Sequence, residues 1–229
     1  NVDRVIANSR ATAELSARAN KVPLDKYLPI YVGVDDSFFT ARPRDVRSRY
    51  GLADNDFLVL TVAQLIPRKG VDDLIRAIAK IHERSVKLMI IGKGQEKERL
   101  QQLAEDLGIR DRVIFVGTVA HSEIADYYRT ADVFALTSRY LESEGDVEGF
   151  GIVMLEAQLF GPVVIGTKSG GIPETMQDGR PGFLVNQNDP EAIAQKIRYL
   201  TDNPNARSRM SAAGEKFVKA ERTWQKSIE

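Results

Sequence analysis

The chain of 229 residues contains no cysteine. Disulfides, thiolate nucleophiles and cysteine-based zinc sites are therefore excluded, although this alone does not fix a compartment. Histidine is nearly as scarce: His82 and His121 stand far apart, no HExxH occurs, and no metal site is expected. Neither sign of charge is in excess, because 32 Lys and Arg balance 32 Asp and Glu. That balance offers no electrostatic footprint for nucleic acid or an acidic membrane. Aromatics make up only 7% of the chain and are scattered, so no base-stacking platform is expected either. No apolar run is long enough to cross a bilayer and no signal-peptide pattern is seen, which makes a soluble, cytoplasmic protein the expectation. No GxxxxGK[ST] exists, and a dinucleotide fingerprint starting at Gly92 and Gly94 fails because Lys97 stands where its third glycine should be.

What the chain does have is alternation. FLVLTVA (57–63), VKLMIIG (86–92), RVIFVG (112–117), DVFALTS (132–138), PVVIGT (162–167) and GFLVN (182–186) are short, continuous apolar runs. Helical patterns follow most of them: 71–84, 95–108, 121–131, the stretch after 150, and 190–203. Strands that are apolar on both sides, separated by helices, predict a parallel sheet covered on both faces. Ser122, ahead of Ala125 and Tyr128, reads as a helix cap, and Gly108 and Gly117 read as stops. The polar stretch 203–229 reads as one or two tail helices.

The first part differs. VDRVIANS, a helical SRATAELSARAN and YLPIYVG make a β-α-β piece, and DDSFFTARPR (35–44) reads as a linker broken by Pro43. The division expected is residues 1–36 as one unit with its linker and 37–229 as the main domain with its tail helices. The chain starts at Asn1 in strand-like sequence, so it is expected to be a piece of a longer protein.

Ligands of parallel α/β sheets sit at the carboxyl ends of strands, so the loops after strands matter most. After LTVA, QLIPRKG (64–70) puts Arg68 and Lys69 just before a helix. Two cations beside helix-terminal N–H groups suit a diphosphate, and a solvated basic loop would look the same. After LMIIG, Gly92-Lys93-Gly94 reads as a tight strand-to-helix turn against which a ligand could pack. After DVFALTS comes the long polar loop 139–149, where Gly149 and Gly151 would let a backbone approach closely at a helix start.

That helix lies in VEGFGIVMLEAQLFG (147–161), which is almost entirely apolar yet carries Glu148 and Glu156, eight positions apart. At helical spacing Glu156 is surrounded by Ile152, Val153, Leu159 and Phe160. An ionised carboxylate there is costly without strong partners. A ligand diol would supply two donors; a position at the rim, or a buried lysine, would answer equally well. Glu148 sits where an acid complements the helix dipole, which needs no ligand at all. His121, after GTVA, reads as a surface residue at a helix start, and Ser169-Gly170-Gly171-Ile172-Pro173-Glu174 as a glycine-rich structural loop.

Taken in order, PRKG, IIGKG, FVGTV, ADVFALTS, the E-x7-E of EGFGIVMLEA, and PVVIGTKSGGIPE resemble the donor-binding, C-terminal half of retaining GT-B glycosyltransferases of the large family 4 (glycosyl transferases group 1) type. The resemblance covers nearly the whole chain, and its specificity lies in the order and spacing of motifs that are individually weak. It implies an α/β fold with a Rossmann-like parallel sheet, helices on both faces, and a remnant of the N-terminal, acceptor-binding domain at residues 1–36. It implies a nucleotide-diphosphate sugar, with a GDP- or UDP-sugar expected, as substrate, with no cofactor and no metal. Lys69 and Arg68 would bind the diphosphate, the amides of Gly149, Phe150, Gly151 and Ile152 the distal phosphate and sugar, Glu148 the sugar hydroxyls, and Glu156 the ribose diol. Gly92, Val119 and His121 would complete the donor site, with the last two facing the base, and Glu148 and Lys69 would lie nearest the chemistry. The loop GDVEGFG is similar to that of family members using GDP-mannose. The acceptor would be held by the N-terminal domain, in a full-length protein compatible with peripheral membrane attachment. One departure stands out: Gln64 occupies a position commonly held by arginine, where glutamine can hydrogen-bond a phosphate but not neutralise it, leaving Arg68 to compensate. A GT-B nucleotide-sugar epimerase, which would want more acid/base groups than two histidines, and a non-catalytic nucleotide-sugar binding module are the alternatives.

Overall fold

The computed structural model describes residues 3–141, 146–176 and 179–228. Nine helices and eight strands follow in this order among those residues: β1 (Val5–Ala7), α1 (Arg10–Asn20), β2 (Tyr27–Pro29), α2 (Asp36–Thr40), β3 (Phe57–Val62), α3 (Val71–Ala79), β4 (Val86–Ile91), α4 (Lys97–Asp106), β5 (Val113–Gly117), α5 (Ile124–Thr130), β6 (Val133–Leu136), α6 (Ile152–Phe160), β7 (Val163–Thr167), β8 (Gly182–Val185), α7 (Pro190–Asp202), α8 (Pro204–Glu221) and α9 (Trp224–Ile228).

Strands β3 to β8 form one six-stranded sheet in the order β5-β4-β3-β6-β7-β8, every pair parallel. The chain winds outward through β4 and β5, then returns to lay β6 against the other side of β3. Neighbouring loops part at that reversal, which is where α/β sheets open a ligand crevice. Side chains alternate across the strands. In β3, Phe57 and Val59 face α3, α4 and α7 through Leu74, Ile78, Leu100 and Ile197. Leu58 and Leu60 face α5, α6 and α8 through Tyr128, Met154, Leu155 and Val218. Both faces are thus covered, as the continuous apolar strands predict.

Two elements differ from the sequence reading. The helix expected over 71–84 stops at Ala79, because the carbonyls of Ile81 and Val86 accept hydrogen bonds from the buried Arg112 guanidinium, at 2.8 and 3.0 Å, and the chain turns there into β4. Ser122 caps nothing: residues His121–Glu123 form a 3-10 turn, and α5 begins at Ile124 without a side-chain cap. Gly108 and Gly117 do end α4 and β5, both at positive φ.

The N-terminal β-α-β piece is a separate two-stranded parallel sheet, β1 with β2, joined by α1. Within the stretch read as a linker, Asp35 caps α2 and Phe38 is buried edge-on against His121 and Phe160. Among the described residues no helix is long and apolar enough to cross a membrane.

Candidate functional site

At the reversal of strand order lies a cleft of about 580 Å³. The ends of β3, β4 and β5 supply Val62, Ala63, Gln64, Ile91, Gly92, Thr118, Val119 and His121, and α6 with its approach supplies Glu148, Gly151, Ile152 and Glu156.

The turn Pro67–Lys69 after β3 aims one cation into this cleft. It can do so because Gly70 takes a left-handed φ of 60° and packs directly on the Thr137 carbonyl, where a Cβ would collide. The Thr137 hydroxyl returns a hydrogen bond to the Gly70 carbonyl at 2.9 Å. Strand β6 and the basic turn are thereby locked together, and Lys69 reaches Glu148.

Glu148 is buried, and its Oε2 collects three donors: Lys69 Nζ at 2.5 Å, Ser138 Oγ at 2.9 Å and Arg68 Nη1 at 3.2 Å. Burial alone would push its carboxyl up, but Lys69, Ser138 and Arg68 together outweigh that, and the group titrates below the ordinary glutamate range. Arg68 does not face the cleft as Lys69 does. Its Nε is held by Asp146 at 2.7 Å and its Nη1 by Glu148, so it buttresses the Glu148 carboxylate. Gln64 lines the cleft with an exposed side chain.

Below Glu148 the glycine-rich loop after β7 explains its composition. Gly170, at φ 51°, lies against the Glu148 carbonyl where no Cβ fits, and the Gly171 N–H donates to that carbonyl at 3.0 Å. Glu174, further along the loop, caps α1: its two oxygens accept from the N–H groups of Arg10 and Ala11 at 2.8 and 3.0 Å. Ser9 and Thr12 at the start of α1 donate to the Gly149 carbonyl at 2.6 and 3.1 Å. The approach to α6 is thus pinned from two sides before the helix begins. Gly151 is the N-cap of α6 and no side chain caps it. Phe150 turns away from the cleft into the core and stacks on Tyr31.

Glu156 lies four residues past Ile152, about 6 Å further along α6. It is half-buried, and its side-chain partner is a phenol rather than a lysine: Tyr128 Oη donates to Glu156 Oε2 at 2.7 Å. Burial pushes the Glu156 carboxyl up, and the hydrogen bond from Tyr128 and the nearby His121 offset this only in part. The buried Tyr128 hydroxyl is itself pushed well above its ordinary value, so it remains a donor.

Of the residues expected at the donor site, Gln64, Lys69, Gly92, Val119, His121, Glu148, Gly151, Ile152 and Glu156 line one cleft, while Arg68, Gly149 and Phe150 stand behind it. Residues 142–145, within the long polar loop and the start of GDVEGFG, lie outside the described residues. Tyr128, Ser138 and Asp146 are additional participants. Tyr128 read only as part of an apolar stripe, and Ser138 as the end of a strand; no local signal pairs them with residues 28 and 10 positions away. Among the described residues no group of three or more His, Cys, Asp or Glu stands where it could hold a metal ion.

Several known proteins are similar to this chain in sequence and fold. The profile of the glycosyl transferases group 1 family matches residues 44–217. The GDP-mannose-dependent alpha-(1-6)-phosphatidylinositol monomannoside mannosyltransferase of Mycolicibacterium smegmatis is 39% identical over 80% of this chain and 49% of its own length. HepE of Anabaena, solved in complex with UDP and glucose, superposes with a TM-score of 0.85 at 27% identity, over 96% of this chain and 59% of that one. The C-terminal domain of the group 1 protein LpcC from Francisella tularensis is covered over 100% of its length, with 84% of this chain, 25% identity and a TM-score of 0.73. The chain therefore spans about half the length of the curated relatives it matches. Its Rossmann-like sheet is that of the C-terminal half of GT-B glycosyltransferases, and the chain belongs to the glycosyl transferases group 1 family.

Proposed function

We propose that this chain is the donor-binding half of a retaining hexosyltransferase that uses a GDP- or UDP-sugar. One observation carries the reading: a single cleft at the sheet's switch point is lined by the Lys69–Glu148 pair, by the uncapped start of α6, and by Glu156 one turn further on. A nucleotide sugar needs those three features in that order. Its diphosphate takes Lys69 and the free backbone N–H groups at the helix start. Its ribose diol donates to Glu156, and its base lies toward Val119 and His121. Glu148 takes the sugar hydroxyls.

Transfer by the whole protein then follows from positioning. The acceptor hydroxyl, held outside these residues, attacks the anomeric carbon on the face from which the nucleoside diphosphate leaves. The C–O bond to the diphosphate breaks as the new glycosidic bond forms, and the acceptor's hydroxyl proton passes to the departing diphosphate oxygen on the same face. Lys69 and the helix N–H groups stabilise the charge that develops on the leaving group, and no protein nucleophile is assigned. The mannosyltransferase relative named for GDP-mannose and the HepE complex with UDP support a nucleoside diphosphate as the common element.

Isothermal titration of the chain with GDP and UDP tests the reading. Saturable binding of at least one is expected; no heat with either up to ~1 mM, a bound of about 4 kcal/mol, would sink it. Hydrolysis of the nucleotide sugar by the full-length protein would then separate a transferase from a module that only binds.

A further inference from the structure

We propose that Tyr128 is a positioning residue for nucleotide binding: it pins one oxygen of Glu156 so that the other carboxylate lone pairs meet the ribose diol. This inference rests on the donor-site reading above. The phenol ring is fully buried, stacked on Phe160 with planes 9° apart and edge-on to Phe134 at 5.7 Å. Its single O–H proton goes to Glu156 Oε2 at 2.7 Å. Both side chains line the cleft.

The need for such a partner follows from the surroundings of Glu156. Its helix brings Met154, Leu155, Ala157, Leu159 and Phe160, all buried and apolar. The other titratable groups that bear on it are His121, ahead of α5, and Asp35, the cap of α2, and these act in opposite directions. Lys69 lines the same cleft but is committed to Glu148. Without the Tyr128 hydroxyl, the Glu156 carboxyl would rise further above its ordinary value. A protonated carboxyl offers a diol a poorer acceptor than a carboxylate does. Tyr128 therefore sets both the direction of Glu156 and the pH above which it can accept from the ribose.

The test compares GDP and UDP with their 2′-deoxy counterparts, in the 229-residue chain and in Tyr128→Phe, across a range of pH. The unchanged chain should prefer the ribonucleotide roughly tenfold or more, the scale of a hydrogen bond to a charged group. Tyr128→Phe should shrink that preference to about threefold or less and move the acidic limb of binding to higher pH. Phe160→Leu disturbs the packing of the same ring but keeps its hydroxyl; it should lower the melting temperature and leave both the preference and the limb in place. An unchanged preference and limb in Tyr128→Phe would overturn the proposal, as would equal shifts in Phe160→Leu, which would mean packing alone. Should Tyr128→Phe fail to fold, a shift of the limb in Phe160→Leu still overturns it, and an unshifted limb supports it. If neither nucleotide binds the unchanged chain, the donor-site reading and this inference fall together; if binding is normal and falls with Glu156→Gln but ignores Tyr128→Phe, only this inference falls.

Discussion

The two glutamates of the E-x7-E share one cleft, Glu148 buried and Glu156 half-buried, yet they titrate in opposite directions. Glu148 is held low and Glu156 is pushed up. Burial acts alike on both, raising each carboxyl; the sign is decided by what faces them. Glu148 has two cations and a hydroxyl, and Glu156 has one neutral phenol. One end of the cleft is thus a closed ionic cluster. The other is an apolar wall with a single underserved acceptor. In the proposed donor site the first would exchange one set of ionic partners for another when a diphosphate arrives, and the second would gain donors it lacks.

Removing the cation paired with Glu148 should break this contrast most severely. Lys69→Ala should weaken nucleoside diphosphate binding roughly 100-fold, the scale of a lost charge-assisted contact, as measured by calorimetry. Retention of full affinity would mean that the ionic end does not hold the phosphates. Of the same size, but on stability, is Glu148→Gln, which leaves Lys69 and Arg68 without their shared carboxylate. Breaking a buried ion pair costs about 3 kcal/mol, and a matching loss should appear in denaturant unfolding.

Glu156→Gln should do the reverse. Nucleotide affinity should fall about tenfold, while stability at neutral pH stays level or rises, because a half-buried charge with one neutral hydrogen-bond partner has been removed. The pH dependence sharpens the distinction. Glu148 titrates lower in the folded chain than in the unfolded one, so its contribution is present above the ordinary glutamate pKa of about 4.3 and is lost as pH falls through its depressed value. Glu156 titrates higher when folded, so its contribution is greatest below that same ordinary value and declines as pH rises through its raised one. Thermal melts should therefore show Glu156→Gln gaining on the unchanged chain as pH rises from about 4 to 7, and the deficit of Glu148→Gln shrinking as pH falls below about 4.3. Parallel curves for the two variants would erase the difference between the ends.

Much of this was readable because it is local. The apolar runs of β3 to β8 announce a covered parallel sheet, and the eight-residue spacing of Glu148 and Glu156 marks a helix start with acids on either side. PRKG shows its glycine, its cations and its place after a strand. What could not be read is remote in sequence. Tyr128 and Glu156 are 28 positions apart, Ser9 and Gly149 are 140 apart, and Glu174 caps a helix 164 positions earlier. Periodicity reports which face of an element is apolar, not which polar group from another element will meet it. Arg68 illustrates the same limit: beside Lys69 in sequence it reads as a second phosphate ligand, but tertiary packing gives it to Asp146 and Glu148. Helix α3 likewise ends early because Arg112, 31 positions beyond Ile81, claims that residue's carbonyl.

The sequence by itself determined the layered architecture, the strand ends at which a ligand could sit, and the presence of two acids and a basic turn at those ends. Hydrophobic periodicity and turn chemistry are local properties, so a chain carries them without being folded. Only the tertiary structure decided which acid is ionised with ease and which is not. That depends on the number of donors converging on each carboxylate in a medium of low dielectric, and those donors are assembled from strands and helices that meet only when the sheet is built.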